Sequence, residues 1–120
     1  MKIFAGLCAA AVLATTGGAG AQQIAGNYHV AGKTVEGRDY AGTARIETRS
    51  TTDCRIRWNT GRVSQGVCRM NDGKFVATLK DRSGQPEVVT YDVMSDGRLN
   101  GVVTVADKKG SGREVLTPIR

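Results

Sequence analysis

Turn-forming residues recur at short and regular intervals along most of the chain, and this spacing constrains the fold more than any other feature. From residue 33 onward the turn segments read KTVEGRD, RSTTD, NTG, NDG, DRSGQP, SDG and DKKGSG. Their Gly, Asn and Asp residues tolerate the positive φ angles that tight hairpins require. The stretches between them show no sustained helical period. Short strands at this spacing predict an all-β barrel or sandwich.

Eight short runs between the turns alternate apolar with polar residues, as strands with one buried and one solvated face do. The face predicted to be buried holds Tyr28, Val30, Tyr40, Ala44, Ile46, Cys54, Ile56, Trp58, Cys68, Phe75, Ala77, Leu79, Val89, Tyr91, Val93, Leu99, Val103 and Val105. We predict a small antiparallel up-and-down meander of about eight strands, closed into a calycin-like barrel because closure removes exposed edges. A two-sheet β-sandwich is the alternative.

The first 21 residues have the organisation of a secretory signal peptide. Lys2 precedes an apolar run, and the small residues Ala19-Gly20-Ala21 form the cleavage site. The run is too short for a permanent membrane anchor, and no later segment is apolar enough for stable membrane insertion. We therefore predict an exported protein, periplasmic or secreted, that loses residues 1–21 together with Cys8. Residues 22–120 are predicted to form a single β-barrel domain.

Cys54 and Cys68 are the two cysteines that remain, and an even pair in an exported protein predicts a disulfide. If NTG closes a hairpin with Thr60 opposite Arg62, Cys54 lies opposite Cys68 on the buried face, with the Cβ atoms about 4.5–5.5 Å apart. The bond would close a 15-residue loop. A zinc site needs about four ligands, and two cysteines with His29 do not supply them.

The sequence shows no recognisable catalytic constellation. His29 is the only histidine and falls on the face predicted to be solvated. Ser64 and Ser95 have no histidine near them in sequence, and no glycine-rich phosphate loop precedes a helix. We predict a non-enzymatic protein without a cofactor or a metal.

Arginines cluster on the predicted outer face of the second to fourth strands. Asp53 is expected opposite Arg69, and Glu47 beside Arg55, which leaves Arg45, Arg57 and Arg62 without an obvious partner. Without Lys2 the chain has 16 basic and 11 acidic residues, a net charge of +5. The arginines therefore predict an anionic macromolecular partner, such as an acidic protein, a glycan or an envelope phosphate. The alternative is a solvated face that keeps the protein soluble. Nucleic acid is disfavoured because no aromatic residues interleave the arginines.

Trp58 has the same strand phase as Cys54 and is predicted to face the barrel interior. The small size of the domain favours Trp58 as a large core residue that fills space. The alternative is that Trp58 lines a ligand cavity near the mouth of the barrel.

Motifs from Gly26 to Pro118 resemble a group of small exported alphaproteobacterial proteins that often carry the label "fibronectin-binding protein". The motifs are YxVxG (28–32), GxxYxGxxxI (37–46), TTxCxIxWxTG (51–61), GVCxxND (66–72), YDVMSDGxLxG (91–101) and GxGxEVLTP (110–118). The resemblance implies a shared fold and adhesion to host matrix. This chain differs in having Val102-Val103 where members often carry a tryptophan, and in the additional segment KDRSGQPE.

Three functions fit these observations. The first is non-enzymatic binding of an extracellular matrix protein or an anionic envelope component through the basic outer face. The second, by architectural analogy, is inhibition of a secreted or periplasmic protease. The third is transport of a small ligand, which predicts a pocket beside Trp58.

Overall fold

The computed structural model describes residues 24–71 and 73–120, which form a closed antiparallel barrel of eight strands. The strands are β1 (Gly26–Lys33), β2 (Asp39–Thr48), β3 (Asp53–Asn59), β4 (Val63–Asn71), β5 (Lys74–Lys80), β6 (Pro86–Val93), β7 (Leu99–Val105) and β8 (Gly112–Pro118). Each strand pairs with the next, and β1 pairs with β8. The predicted meander is confirmed, and the sandwich alternative is wrong.

The predicted signal peptide, residues 1–21, and Cys8 lie outside the described residues. Within the part of the chain that the structure describes, no helix is long and apolar enough to span a membrane.

The two ends of the barrel differ. The loops after β1, β3, β5 and β7 (34–38, 60–62, 81–85 and 106–111) surround one end, which we call the mouth. The opposite end, the foot, lies where β1 begins. There Ile24 is buried in the core, and the Tyr28 hydroxyl donates a hydrogen bond to its carbonyl oxygen at 2.6 Å. The lower part of the barrel is therefore filled, and space remains towards the mouth.

The strand alternation predicted from the sequence is confirmed. Residues expected to face inward are buried or partly buried, and Phe75, Tyr91 and Leu99 are completely enclosed. The Phe75 and Tyr91 rings stack with their centroids 4.4 Å apart. Phe75 therefore holds the Tyr91 ring in place at the centre of the barrel.

The β3–β4 hairpin has the predicted register, with Cys54 opposite Cys68. The two cysteines form a disulfide across the hairpin, with a Cα–Cα distance of 4.9 Å. The predicted pair of Asp53 and Arg69 is also present, at 3.3 Å. Because structural disulfides persist in oxidising compartments, the bond agrees with an exported protein.

Candidate ligand-binding cavity

A cavity of about 610 Å³ opens at the mouth of the barrel. Pockets of about 300–1,000 Å³ are typical of small-molecule sites. The inward-facing residues that line the cavity are Tyr40, Trp58, Ser64, Leu79, Glu87, Val89, Val103, Val105 and Glu114. Trp58 is buried, as expected of a core residue, and it also lines this cavity, as the alternative interpretation predicted.

Glu114 lies on β8 and points into the barrel, with only 4% of its surface exposed. It is the one charged side chain among the described residues that is buried. Its Oε1 accepts a hydrogen bond from the Tyr40 hydroxyl at 2.6 Å. Its Oε2 accepts hydrogen bonds from Trp58 Nε1 at 3.0 Å and from the Tyr91 hydroxyl. Three side chains from three different strands therefore converge on one carboxylate.

Two glycines make this convergence possible. Glu114 lies opposite Gly32 on β1 and opposite Gly101 on β7. A Cβ atom at Gly101 would lie 2.8 Å from the Tyr91 ring, and one at Gly32 would overlap the Tyr40 ring. Because glycine has no side chain, both tyrosine rings have space to lie beside Glu114. Close approach of a large neighbour is a known reason for a glycine inside a strand.

The carboxylate also affects the ionisation of its neighbours. Burial, followed by the charge of Glu114, raises the pKa of Tyr40 and Tyr91 well above that of an ordinary phenol. Burial likewise raises the pKa of Glu87, and the charges of Glu114 and Asp81 add to this effect. Both tyrosines therefore remain neutral hydrogen-bond donors at physiological pH, and both direct their hydroxyl groups at the carboxyl group of Glu114.

The mouth carries a different charge pattern. The acidic side chains of the mouth that line the cavity already have partners: Glu36 pairs with Lys108, and Asp39 pairs with Lys33 at 3.0 Å. Asp81 accepts hydrogen bonds from residues of its own loop. The basic lining residues that form no ion pair within residues 24–71 and 73–120 are Arg38, Arg62, Lys80 and Arg82. The mouth is therefore basic, whereas the floor is acidic.

The four residues predicted to form a binding site are not brought together. Arg45 and Arg57 lie opposite each other on the outer face of β2 and β3, and both are exposed. Arg62 lies in the β3–β4 loop and lines the cavity mouth, so its placement on the outer strand face was wrong. The expectation that Arg45 lacks a partner was also wrong, because Glu47 pairs with it at 3.2 Å. Trp58 faces inward, on the other side of the barrel wall.

The importance of Glu114 was missed in the sequence analysis, although a signal was present. In β8 the completely buried Leu116 fixes which strand phase faces inward. Glu114 has the same phase, two residues earlier. A charged residue at an inward position of a small barrel is rare, and it is therefore a good indicator of a polar site.

The described segments contain no group of three His, Cys, Asp or Glu side chains placed to hold a metal ion. His29 is exposed on β1.

No protein-family model and no curated protein matches the chain significantly. Among solved structures, a de novo designed fluorescence-activating β-barrel is similar with a TM-score of 0.64 and 18% identity, over 82% of this chain and 96% of that one. A redesigned β-barrel is similar with a TM-score of 0.69 and 14% identity, over 83% of this chain and 96% of that one. These likenesses show a shared barrel fold.

Proposed function

We propose that the protein is an exported binding protein that takes up a small organic molecule in the cavity at the barrel mouth. The observation that carries the proposal is the buried carboxylate of Glu114 at the floor of a solvent-open cavity of about 610 Å³. A ligand pocket typically combines apolar walls with a few placed polar groups, and this cavity has both.

The side chains around the cavity support the proposal. An eight-stranded barrel is usually just wide enough for its side chains to fill the interior. Here the inward position opposite Trp58 is occupied by the small Ser64. The space that a larger residue would take is therefore left beside the indole ring.

Trp58 provides a direct test, because it is the only tryptophan in the chain. The neutral dye N-phenyl-1-naphthylamine is expected to bind saturably and to quench Trp58 emission by energy transfer. Ser64→Phe should fill the cavity and weaken dye binding at least about tenfold, since a bound apolar ligand loses its buried surface. Gln65→Phe, on the exposed face of the same strand, is the matched control and should bind the dye normally. Equal binding by the two variants would contradict the proposal.

The basic outer face supports a second candidate function, binding of an anionic macromolecule such as a glycan or an acidic matrix protein. Arg45 and Arg57 lie directly opposite each other. Like charges in that position are destabilising, so their pairing has a structural cost that a polyanion would relieve. Arg55 and Arg57 form no ion pair among the described residues. The resemblance to proteins labelled as fibronectin-binding agrees with this candidate.

Reversal of both charges, Arg45→Glu with Arg57→Glu, is expected to abolish retention on immobilised heparin at physiological salt. The matched control is Lys33→Glu with Arg113→Glu, another basic cross-strand pair, on β1 and β8. It changes the net charge equally but should reduce retention only slightly. If both pairs weaken retention to the same extent, the binding reflects net charge alone and the face is not a site.

Nothing among the described residues bears on protease inhibition, which stays a prediction.

A further inference from the structure

The charged groups of the cavity are unevenly distributed along its axis, and this distribution restricts the ligands that it can bind. The two inward-facing carboxyl groups that line it belong to Glu114 and Glu87. The basic residues that line it are all in the mouth loops or at a strand end. Because Glu114 lies two residues inside β8, it is about 7 Å along the strand from the level of the loops. The carboxyl group of Glu114 and the basic groups that form no ion pair among the described residues are therefore separated along the cavity axis.

The hydrogen bonds at Glu114 are all donated to its carboxyl oxygens. An indole N–H can only donate, and both tyrosine hydroxyls are placed to donate as well. A carboxylate has about four acceptor positions, so these three donors leave one open, on Oε1. No lysine or arginine pairs with Glu114 in the described residues. A buried carboxylate without a cation is costly, and a cationic ligand would remove that cost.

The walls beside Glu114 suit a cation as well. Tyr40 and Trp58 both line the cavity, and both donate to Glu114, so their rings are next to the carboxylate. Aromatic faces attract ammonium groups, and the attraction is stronger where water is excluded. At the opposite end, Arg38, Arg62 and Arg82 are exposed and can contact an anionic group.

We propose that the ligand is a small zwitterion that enters with its ammonium group first. The ammonium group lies against Glu114 between Tyr40 and Trp58, and the anionic group lies among Arg38, Arg62 and Arg82. This inference rests on the proposed small-ligand function and specifies the chemistry of the same site.

Four ligands with the same carbon skeleton test the proposal: 6-aminohexanoate, hexylammonium, 1-hexanol and hexanoate. Each is titrated against the protein by displacement of N-phenyl-1-naphthylamine and by the change in Trp58 emission. We expect 6-aminohexanoate to bind tightest, at least about tenfold tighter than 1-hexanol, because its ends form charge-assisted contacts with both ends of the cavity. Hexylammonium should be second, and hexanoate should be weaker than hexylammonium.

The outcomes distinguish a failure of the zwitterion proposal from a failure of the proposed small-ligand function. If the dye binds but hexanoate or 1-hexanol matches 6-aminohexanoate, or none of the four displaces the dye, the zwitterion proposal is overturned and the cavity function stands. If 6-aminohexanoate binds more weakly than hexylammonium, the arginines do not receive the anionic end, and the proposal is again overturned. If neither the dye nor any of the four binds, both inferences fail.

Glu114→Gln keeps the shape of the side chain and removes its charge. It should lower the ratio of 6-aminohexanoate affinity to hexanoate affinity about tenfold. Glu47→Gln, at an exposed glutamate on the outside of β2, is the matched control and should leave the ratio unchanged. If Glu114→Gln does not fold, as judged by circular dichroism, Glu87→Gln is the second variant and should lower the ratio in the same direction. An unchanged ratio in a folded Glu114→Gln protein would refute the role of Glu114.

Discussion

Removal of the Cys54–Cys68 disulfide is expected to lower the free energy of unfolding by about 3 kcal/mol, because the bond closes a 15-residue loop in the unfolded chain. The native structure has little need to change, since the hydrogen-bonded register of β3 and β4 already places the two residues opposite each other. The effect therefore acts on the unfolded state. For a domain of this size, about 3 kcal/mol is a large part of the total stability.

The measurement is urea-induced unfolding, followed by Trp58 fluorescence, of the wild type and of the Cys54→Ala, Cys68→Ala double variant. Both proteins are also unfolded in the presence of a reductant. Under reduction the wild type should lose most of its additional free energy of unfolding relative to the double variant. Any remaining difference reports the packing of the two buried side chains. If the double variant is destabilised by less than about 1 kcal/mol, loop closure does not account for the role of the bond.

Glu114→Ala is expected to destabilise the barrel by about 2–4 kcal/mol. The substitution removes the acceptor of three hydrogen bonds and leaves Trp58 and Tyr91 as buried donors without a partner. Tyr40 is only partly buried and can donate to water in the cavity instead. The loss should therefore come mainly from the two deeper donors.

Glu87→Ala is the matched control, because Glu87 lines the same cavity and no donor side chain among the described residues bonds to it. Its raised pKa means that the folded protein binds the proton more tightly than the unfolded chain does. Wild-type stability should therefore fall as the pH rises from the ordinary glutamate pKa to the raised one, and Glu87→Ala should lack this fall. At neutral pH the control is expected to equal or exceed the wild type in thermal stability. If Glu114→Ala is as stable as Glu87→Ala at neutral pH, the hydrogen bonds at Glu114 contribute nothing.

The strands of the barrel and the faces of their side chains could be predicted from the sequence, because local rules determine them. Turn residues mark the hairpins, and strict alternation assigns each side chain to one face, which is why Phe75 and Tyr91 were placed correctly in the interior. The register of Cys54 and Cys68 followed from the turn at residues 59–61 alone. The meander followed from the absence of long connections, and closure followed from the need to remove exposed strand edges.

The cavity was harder to predict from the sequence. It depends on where small residues leave space and on contacts between strands that are far apart in the sequence. Trp58 reaches Glu114 across 56 positions of the sequence. Arg62 was misplaced because it follows Gly61, whose φ of +99° directs the chain out of the strand alternation. The pairing of Arg45 with Glu47 is a same-face contact two residues apart on one strand, whereas the expectation from the sequence rests on cross-strand partners.

The closed foot of the barrel has a kinetic consequence. With Ile24 buried at that end and the stacked Phe75 and Tyr91 rings at the centre, a bound molecule would have to leave through the opening by which it entered. The residence time of a ligand would then be governed by the mouth loops 34–38 and 81–85, whereas the equilibrium preference would be set by Glu114 at the floor together with the arginines of the mouth. Exchange of the other residues of these loops, with Arg38 and Arg82 retained, should therefore alter how fast a ligand comes and goes while leaving its chemical class unchanged.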